Sequence, residues 1–392
     1  MIILGIETSC DETAVCLLES RATETGIEYR VLGSLIHSQI DIHKEYGGVF
    51  PMMAKRAHAE NLVPLLEKLI TQSGIATKTV TEQLDEKILE QELVLKDKLL
   101  ASSLITSQPK IDAIAVTYGP GLEPALWVGI NFAQALGKLW RVPVYPENHM
   151  EGHIVSTLIN ENPTTTWNTI HTITYPALAV LLSGGHTELV AIEHLGNYRI
   201  VGRTRDDAVG EAFDKVARIL GLAYPGGPEV SRRAAIARTT KLPHTIDLPR
   251  PMLHSKDLDF SFSGLKTAVL YLVKETSHNG EKELSENFIN ELCREFEDAA
   301  CEVIEKKTRG ALDASGVQTL IVGGGVIANT LLRTMFDRLA NEYGISLYIP
   351  TQHLSGDNAL MIALAGSLHV LRGEQPVPFT RALGNLRLDG GK

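Results

Sequence analysis

The chain has few cysteines, no long apolar run and no surplus of basic charge, and each absence narrows its reading. The four cysteines, Cys10, Cys16, Cys293 and Cys301, are too few to staple 392 residues and include no C-x-x-C pair. A disulfide framework is excluded, and a reducing, cytoplasmic setting is expected. No apolar stretch reaches the ~18 residues of a membrane span, so no membrane association is expected. The opening Met1–Glu7 lacks a basic region and turns acidic within seven residues, unlike a secretory signal. There is no G-x-x-x-x-G-K-[ST] phosphate loop. Lysine and arginine number 37 against 47 acidic residues, a formal charge of -10. That argues against a broadly basic nucleic-acid coat and leaves room only for a local groove.

What is present describes a folded α/β protein. Hydrophobic residues make up 44% and charged residues 21%, the balance of a globular chain. The length exceeds one simple core and predicts two lobes. Short apolar runs at 2–6, 14–18 and 29–36 read as strands, the first two joined by a polar tip, Glu7–Thr13. Leu62, Leu65, Leu66, Leu69 and Ile70 share one face of a helix over 60–74 that stops at Gly74. Strands are expected at 111–117 and 142–145, with helices after Gly119-Pro120-Gly121 and over 149–159. The Thr- and Asn-rich stretch 160–175 reads as a linker. A second strand–Gly turn–strand hairpin follows at 177–192, about 175 residues after the first, and predicts duplicated lobes. Further helices are expected near 208–220, 262–276 and 284–308, then a strand at 319–322 and helices from 328 and over 359–371. The expected lobes are 1–150 and 151–356, with 357–392 packing back towards the first. The segment 76–109 reads as a helical insertion, a solvated surface elaboration of one or two amphipathic helices.

Several motifs carry chemistry. His149-Met150-Glu151-Gly152-His153 sets two imidazoles at i and i+4 on one helical face, the spacing that chelates a transition metal. Glu151 lies about 200° around the helix from each histidine. It therefore points away from the metal, which disfavours a metallopeptidase. Asp357, ahead of the last helix, is the best-placed third ligand. Leu181-Leu182-Ser183-Gly184-Gly185 and Gly323-Gly324-Gly325 with Asn329 are turns whose backbone N–H groups can cradle a phosphate. Asp214 is placed to bind a sugar hydroxyl. Tyr224-Pro225-Gly226-Gly227-Pro228 allows close ligand approach.

With Gly5–Thr13, Gly119–Leu122, Gly210–Lys215 and Phe260–Thr267, these motifs resemble the tRNA N6-adenosine threonylcarbamoyltransferase family. The resemblance runs from residue 2 to about 375. It implies a two-lobed actin-like (ribonuclease H-like) ATPase superfold with a cleft between the lobes. It implies transfer of a threonylcarbamoyl group from threonylcarbamoyl-AMP to N6 of the adenosine adjacent to the anticodon, in tRNAs reading codons that begin with A. The product is threonylcarbamoyladenosine (t6A), and AMP leaves. It further implies one divalent metal, iron or zinc, on His149, His153 and Asp357. Nucleotide contacts, to the adenylate or to ATP or ADP, would fall at Leu181, Leu182, Ser183, Gly184, Gly185, Asp214, Gly227 and Asn329. Asp11 and Glu12 would lie at the reaction centre, either one acting as general base. Implied partners are tRNA, an inactive paralogue subunit, a small ATPase and an upstream adenylate-forming enzyme. Met52, Asn148 and Ser355-Gly356 depart from the family pattern. A small-molecule kinase on the same superfold, or a non-catalytic scaffold subunit, are the alternatives. Lys55, Arg56, Arg203, Arg205, Arg232 and Arg233 are the cations from which a tRNA groove would form, unless partners supply it.

Overall fold

The computed structural model describes residues 1–24, 26–278 and 283–390. In chain order the first half runs β1 (Ile2–Glu7), β2 (Glu12–Thr23), β3 (Gly26–Ser38), α1 (Ile40–Lys44), α2 (Pro51–Ser73), β4 (Thr77–Thr79), α3 (Leu93–Leu100), β5 (Ser107–Pro109), β6 (Ala113–Gly119), α4 (Glu123–Trp140), β7 (Val144–Asn148), α5 (His149–Thr157), β8 (Ile159–Asn160) and β9 (Asn168–Ile170). The remainder runs β10 (Ala177–Leu182), β11 (Thr187–His194), β12 (Asn197–Arg203), α6 (Val209–Ile219), α7 (Gly226–Thr239), α8 (Ser263–Thr276), α9 (Glu286–Ser315), β13 (Thr319–Gly323), α10 (Thr330–Tyr343), β14 (Ser346–Tyr348) and α11 (Ala359–Leu371). None of the described helices is long and apolar enough to cross a membrane.

The chain divides into two compact units, 1–41 with 49–172 and 356–390, and 42–48 with 173–355. Each is built on the same five-strand plan. In the first the order is β7-β6-β1-β2-β3, extended by β9-β8; in the second it is β14-β13-β10-β11-β12. The directions match too. β1 pairs antiparallel with β2 and parallel with β6, as β10 does with β11 and β13. This repeated order is the ribonuclease H-like unit of the actin-like superfold, and it makes the expected duplication concrete. Residues 151–172 group with the first unit, because α5 packs on α11 and β9 pairs with β3.

Apolar runs become central strands because both faces are covered. Leu4 and Ile6 of β1 join a core with Leu62 and Leu66 of α2 and Phe132 of α4. On the other face α11 lies so close to Gly5 that a Cβ there would collide with the Ala359 carbonyl and Ala363. Glycine at this position is what lets the last helix seat on the first strand.

Two expectations shift. Helix α2 begins at Pro51, nine residues before the expected start at 60, because its first turns bury Ala54, Ala57 and His58 rather than large apolar side chains. The segment 76–109 is also no solvated elaboration. It holds one α-helix and two 3-10 turns, tied off by the β4–β5 ribbon. Leu89, Leu95, Leu99 and Leu104 are buried in the first unit's core, and the Trp140 indole donates to the Leu104 carbonyl at 3.1 Å.

Candidate active site

Strand β7 leads directly into α5, with Asn148 as the joint. Its side chain accepts from the Met150 N–H at 2.9 Å and the Glu151 N–H at 3.4 Å, capping the helix. The departure from the family pattern at this position thus has a structural role. One turn apart on α5, the His149 and His153 rings meet edge-on with centroids 4.7 Å apart. Their Nε2 atoms lie 3.4 Å and 3.1 Å from Asp357 Oδ1. Donor atoms of the three residues all fall within 4.8 Å of one another.

This donor set fits a divalent transition metal such as zinc or iron. His153 Nε2 is buried and, although 3.1 Å from the Asp357 oxygen, makes no hydrogen bond. A buried nitrogen left in that state calls for another partner. The electrostatics agree. Burial works to raise the Asp357 carboxyl, yet His149 and His153 hold it well below the usual carboxylate range. Burial works against a charge on His149, yet Asp357 and Glu7 push its imidazole well up. A site that favours a positive charge on His149 this strongly also favours a cation bound against it.

Glu151 turns away from the triad, as its helical angle requires. It faces His369 of α11, whose Nε2 lies 3.7 Å from Glu151 Oε2 and whose Nδ1 lies 3.1 Å from Glu147 Oε2. Burial opposes the charge, but Glu147 and Glu151 raise His369 to about 9. The carboxylate is engaged there, and no peptidase arrangement forms.

Asp11 and Glu12 sit at the tip of the β1–β2 hairpin in the same unit. The tip is held from both sides. His58 of α2 donates from Nε2 to the Cys10 carbonyl at 3.0 Å, and its Nδ1 lies 2.8 Å from Thr13 Oγ1. The Gln39 N–H donates to the Asp11 carbonyl at 2.9 Å. Burial, then the charges of Asp11 and Asp357, push Glu12 up to about 10. Glu12 therefore keeps its proton at neutral pH and shares a hydrogen bond with Asp11. Burial, aided by Asp11, also pushes the Cys10 thiol well up, so it is no nucleophile.

The second unit gathers the other residues. Leu181 and Leu182 are fully buried at the end of β10, backbone and side chain alike. Beyond them the turn closes through His186 N–H to Ser183 Oγ at 3.0 Å, while Gly184 and Gly185 face open space. Gly210 of α6 and Gly324 after β13 pack onto this turn and the strand end, where a Cβ would strike the Ser183 and Leu182 carbonyls. Asp214, one turn along α6, accepts from the Gly226 N–H at 2.7 Å. It lines a cavity of about 110 Å³ with Lys44, Gly47, Arg218, Tyr224 and Gly226. Gly227 beside it is open. Asn329 stands in a network of its own: it caps α10 through the Leu332 N–H and donates to Ser231 and Glu297.

Five of the six candidate cations are tied to acids. Lys55 pairs with Glu92, Arg56 with Glu60, Arg205 with Asp257 and Asp259, and Arg232 and Arg233 with Glu229. Such pairs leave little net positive potential for a polyanion.

Fold and site together define a two-unit α/β protein of ribonuclease H-like plan with a His–His–Asp metal-type centre. The model of the tRNA N6-adenosine threonylcarbamoyltransferase family matches residues 30–82 and 85–364, which includes most of the segment 76–109. Proteins of that name are similar over nearly the whole chain. One from Nitrosospira multiformis is 41% identical over 95% of this chain and 92% of its own. One from Burkholderia mallei is 43% identical over 95% and 93%. The chain belongs to this family of transferases. Among solved structures, full-length HypF in its phosphate- and nucleotide-bound form is similar at 11% identity and TM-score 0.48, over 93% of this chain and 45% of that one. The Acidaminococcus fermentans (R)-2-hydroxyglutaryl-CoA dehydratase component A is similar at 10% identity and TM-score 0.41, over 93% and 96%.

Proposed function

We propose that this chain transfers the threonylcarbamoyl group from threonylcarbamoyl-AMP to N6 of the adenosine adjacent to the anticodon, in tRNAs reading codons that begin with A. The observation that carries the reading is the His149–His153–Asp357 donor set, standing in the same unit as the Asp11–Glu12 tip. A kinase has no need of such a triad, and a non-catalytic scaffold would have no reason to keep it intact.

The adenine amine is a weak nucleophile, because its lone pair is delocalised into the ring. Its attack on the carbamoyl carbon forms the C–N bond, breaks the C–O bond to phosphate and releases AMP. A divalent metal held by His149, His153 and Asp357 would supply Lewis acidity to the carbamoyl carbonyl. Asp11 takes the proton lost by N6, as general base. Glu12, itself protonated, steadies Asp11 through their hydrogen bond and leaves it as the acceptor of the pair. In the second unit the Ser183–Gly185 turn presents backbone to the donor's phosphate. Asp214 and Gly227, beside the cavity, bind its sugar. Asn329, already engaged as a cap, positions the end of α10 rather than reaching far. With five of the six candidate groove cations tied to acids, the chain takes tRNA with help from an inactive paralogue and a small ATPase, and takes its donor from an adenylate-forming enzyme.

The test is reconstitution with threonine, bicarbonate, ATP, the adenylate-forming enzyme and unmodified tRNA, with and without partner proteins, read by nucleoside mass spectrometry. Appearance of t6A supports the reading. Phosphorylation of a sugar with no t6A under any condition would replace it with the kinase.

A further inference from the structure

We infer that Glu7 is a positioning residue for the metal centre: it fixes the tautomer of His149 and aims its Nε2 at the point shared with His153 and Asp357. The inference rests on the metal reading above and assigns a role to a residue outside the triad.

Glu7 ends β1 and is 1% exposed. Its Oε2 lies 3.1 Å from His149 Nδ1 and accepts from the Thr117 hydroxyl at 2.5 Å. Its Oε1 accepts from the Ser9 N–H at 2.5 Å. With a backbone N–H donating to one oxygen and a hydroxyl to the other, Glu7 stands as a carboxylate that accepts on both sides. An ionised carboxylate only accepts. His149 Nδ1 must therefore carry the hydrogen, since the opposite tautomer would set two acceptors against each other in a dry place. In the neutral ring that leaves the lone pair on Nε2, the atom that faces Asp357 at 3.4 Å. Ser9 Oγ lies 3.2 Å from the same Nδ1 and can accept from it as well.

The arrangement does two things. It removes the freedom of the imidazole to flip, and it places a negative charge one hydrogen bond behind a ligand, which makes that ligand a stronger donor. Thr117 on β6 and Ser9 on the hairpin fix the carboxylate in turn. The aim of His149 is thus set by β1 and β6 as well as by its own helix.

The test uses full-length protein stripped by chelation and titrated with Zn²⁺ against a competing chromophoric chelator, for wild type, Glu7→Gln and Glu7→Ala, with thermal melts of each. Zn²⁺ affinity is expected to fall roughly 10- to 100-fold in Glu7→Ala. Glu7→Gln, which keeps an accepting oxygen but loses the charge, is expected to fall less. ¹⁵N NMR of the Zn²⁺-loaded wild type is expected to show His149 bound through Nε2 with Nδ1 protonated. A folded Glu7→Ala with wild-type affinity would overturn the inference, as would ligation through Nδ1. Should Glu7→Ala not fold, Glu7→Gln and the NMR assignment decide the matter. Wild type with no Zn²⁺ affinity would overturn the metal reading itself, and the inference with it.

Discussion

His153 Nε2 and Asp357 Oδ1 lie 3.1 Å apart, buried on the nitrogen side, without forming a hydrogen bond. A buried nitrogen without a hydrogen bond, beside a carboxylate that it shares with His149, is arranged for a further partner. The protein is therefore expected to bind one divalent metal per chain. His153→Ala and Asp357→Ala should each lose it, with metal content read by mass spectrometry of the purified protein. Full metal content in His153→Ala would remove the triad from consideration.

The protonated state of Glu12 separates it from Asp11. Asp11→Asn should lower transfer roughly 10²- to 10⁴-fold, the scale of a lost general base. Glu12→Gln, which still donates to Asp11, should be far milder. Equal losses in single-turnover assays would mean that the pair acts as one group.

Glu12 also gives stability a pH dependence. Its folded value of about 10 lies above the ordinary carboxyl value of 4.5. Between these the folded state holds a proton that the unfolded chain has released, so stability falls as pH rises. In metal-free protein Glu12→Gln should raise the melting temperature at pH 8 and leave it nearly unchanged at pH 4. No gain at pH 8 would count against a protonated Glu12.

For His369 the folded value of about 9 lies above 6.5. The stabilisation it draws from Glu147 and Glu151 is complete below pH 6.5 and is lost as pH rises through about 9. This imidazolium ties α5 to α11, the helix that follows Asp357. His369→Gln should lower the melting temperature at pH 6 and approach wild type above pH 9. A titration of its ring protons centred near 6.5 would contradict the assignment.

His58 is the pin of the hairpin tip. His58→Ala strands the Cys10 carbonyl and leaves the Thr13 hydroxyl only the Gln39 amide at 3.4 Å, at a cost of about 1–3 kcal/mol in stability. It should lower transfer more than metal content, because it loosens Asp11 and leaves the triad in place. Parallel loss of metal and activity would make His58 a general fold residue instead.

How far this was legible in the residues varies with the distance over which each contact forms. Helix α11 is found at 359–371 as its apolar run indicates, with Asn358 capping it through the Met361 N–H. The paired hairpins are visible because strand and Gly turn are local. Helix α7 and strand β12 are not. α7 opens with Gly226-Gly227-Pro228, which reads as a turn, and buries only Gly226, Val230, Ala234 and Ala237. The triad is legible because i and i+4 histidines are a helical signal and Asp357 precedes a cap. Glu7, Gln39, His58 and His369 are not, since each acts through partners far along the chain: Glu7 meets His149 across 142 positions. The pairing of the basic residues is hidden only in part: Arg56, Arg232 and Arg233 meet acids at helical i,i+3 or i,i+4 spacing, whereas Lys55 and Arg205 find theirs through packing.

The central claim is tested most directly by nucleoside mass spectrometry of tRNA after reaction with threonylcarbamoyl-AMP and the partner proteins, comparing metal-loaded wild type with His153→Ala. The account predicts t6A from wild type and none above background from the variant. Undiminished t6A from metal-free His153→Ala would contradict it.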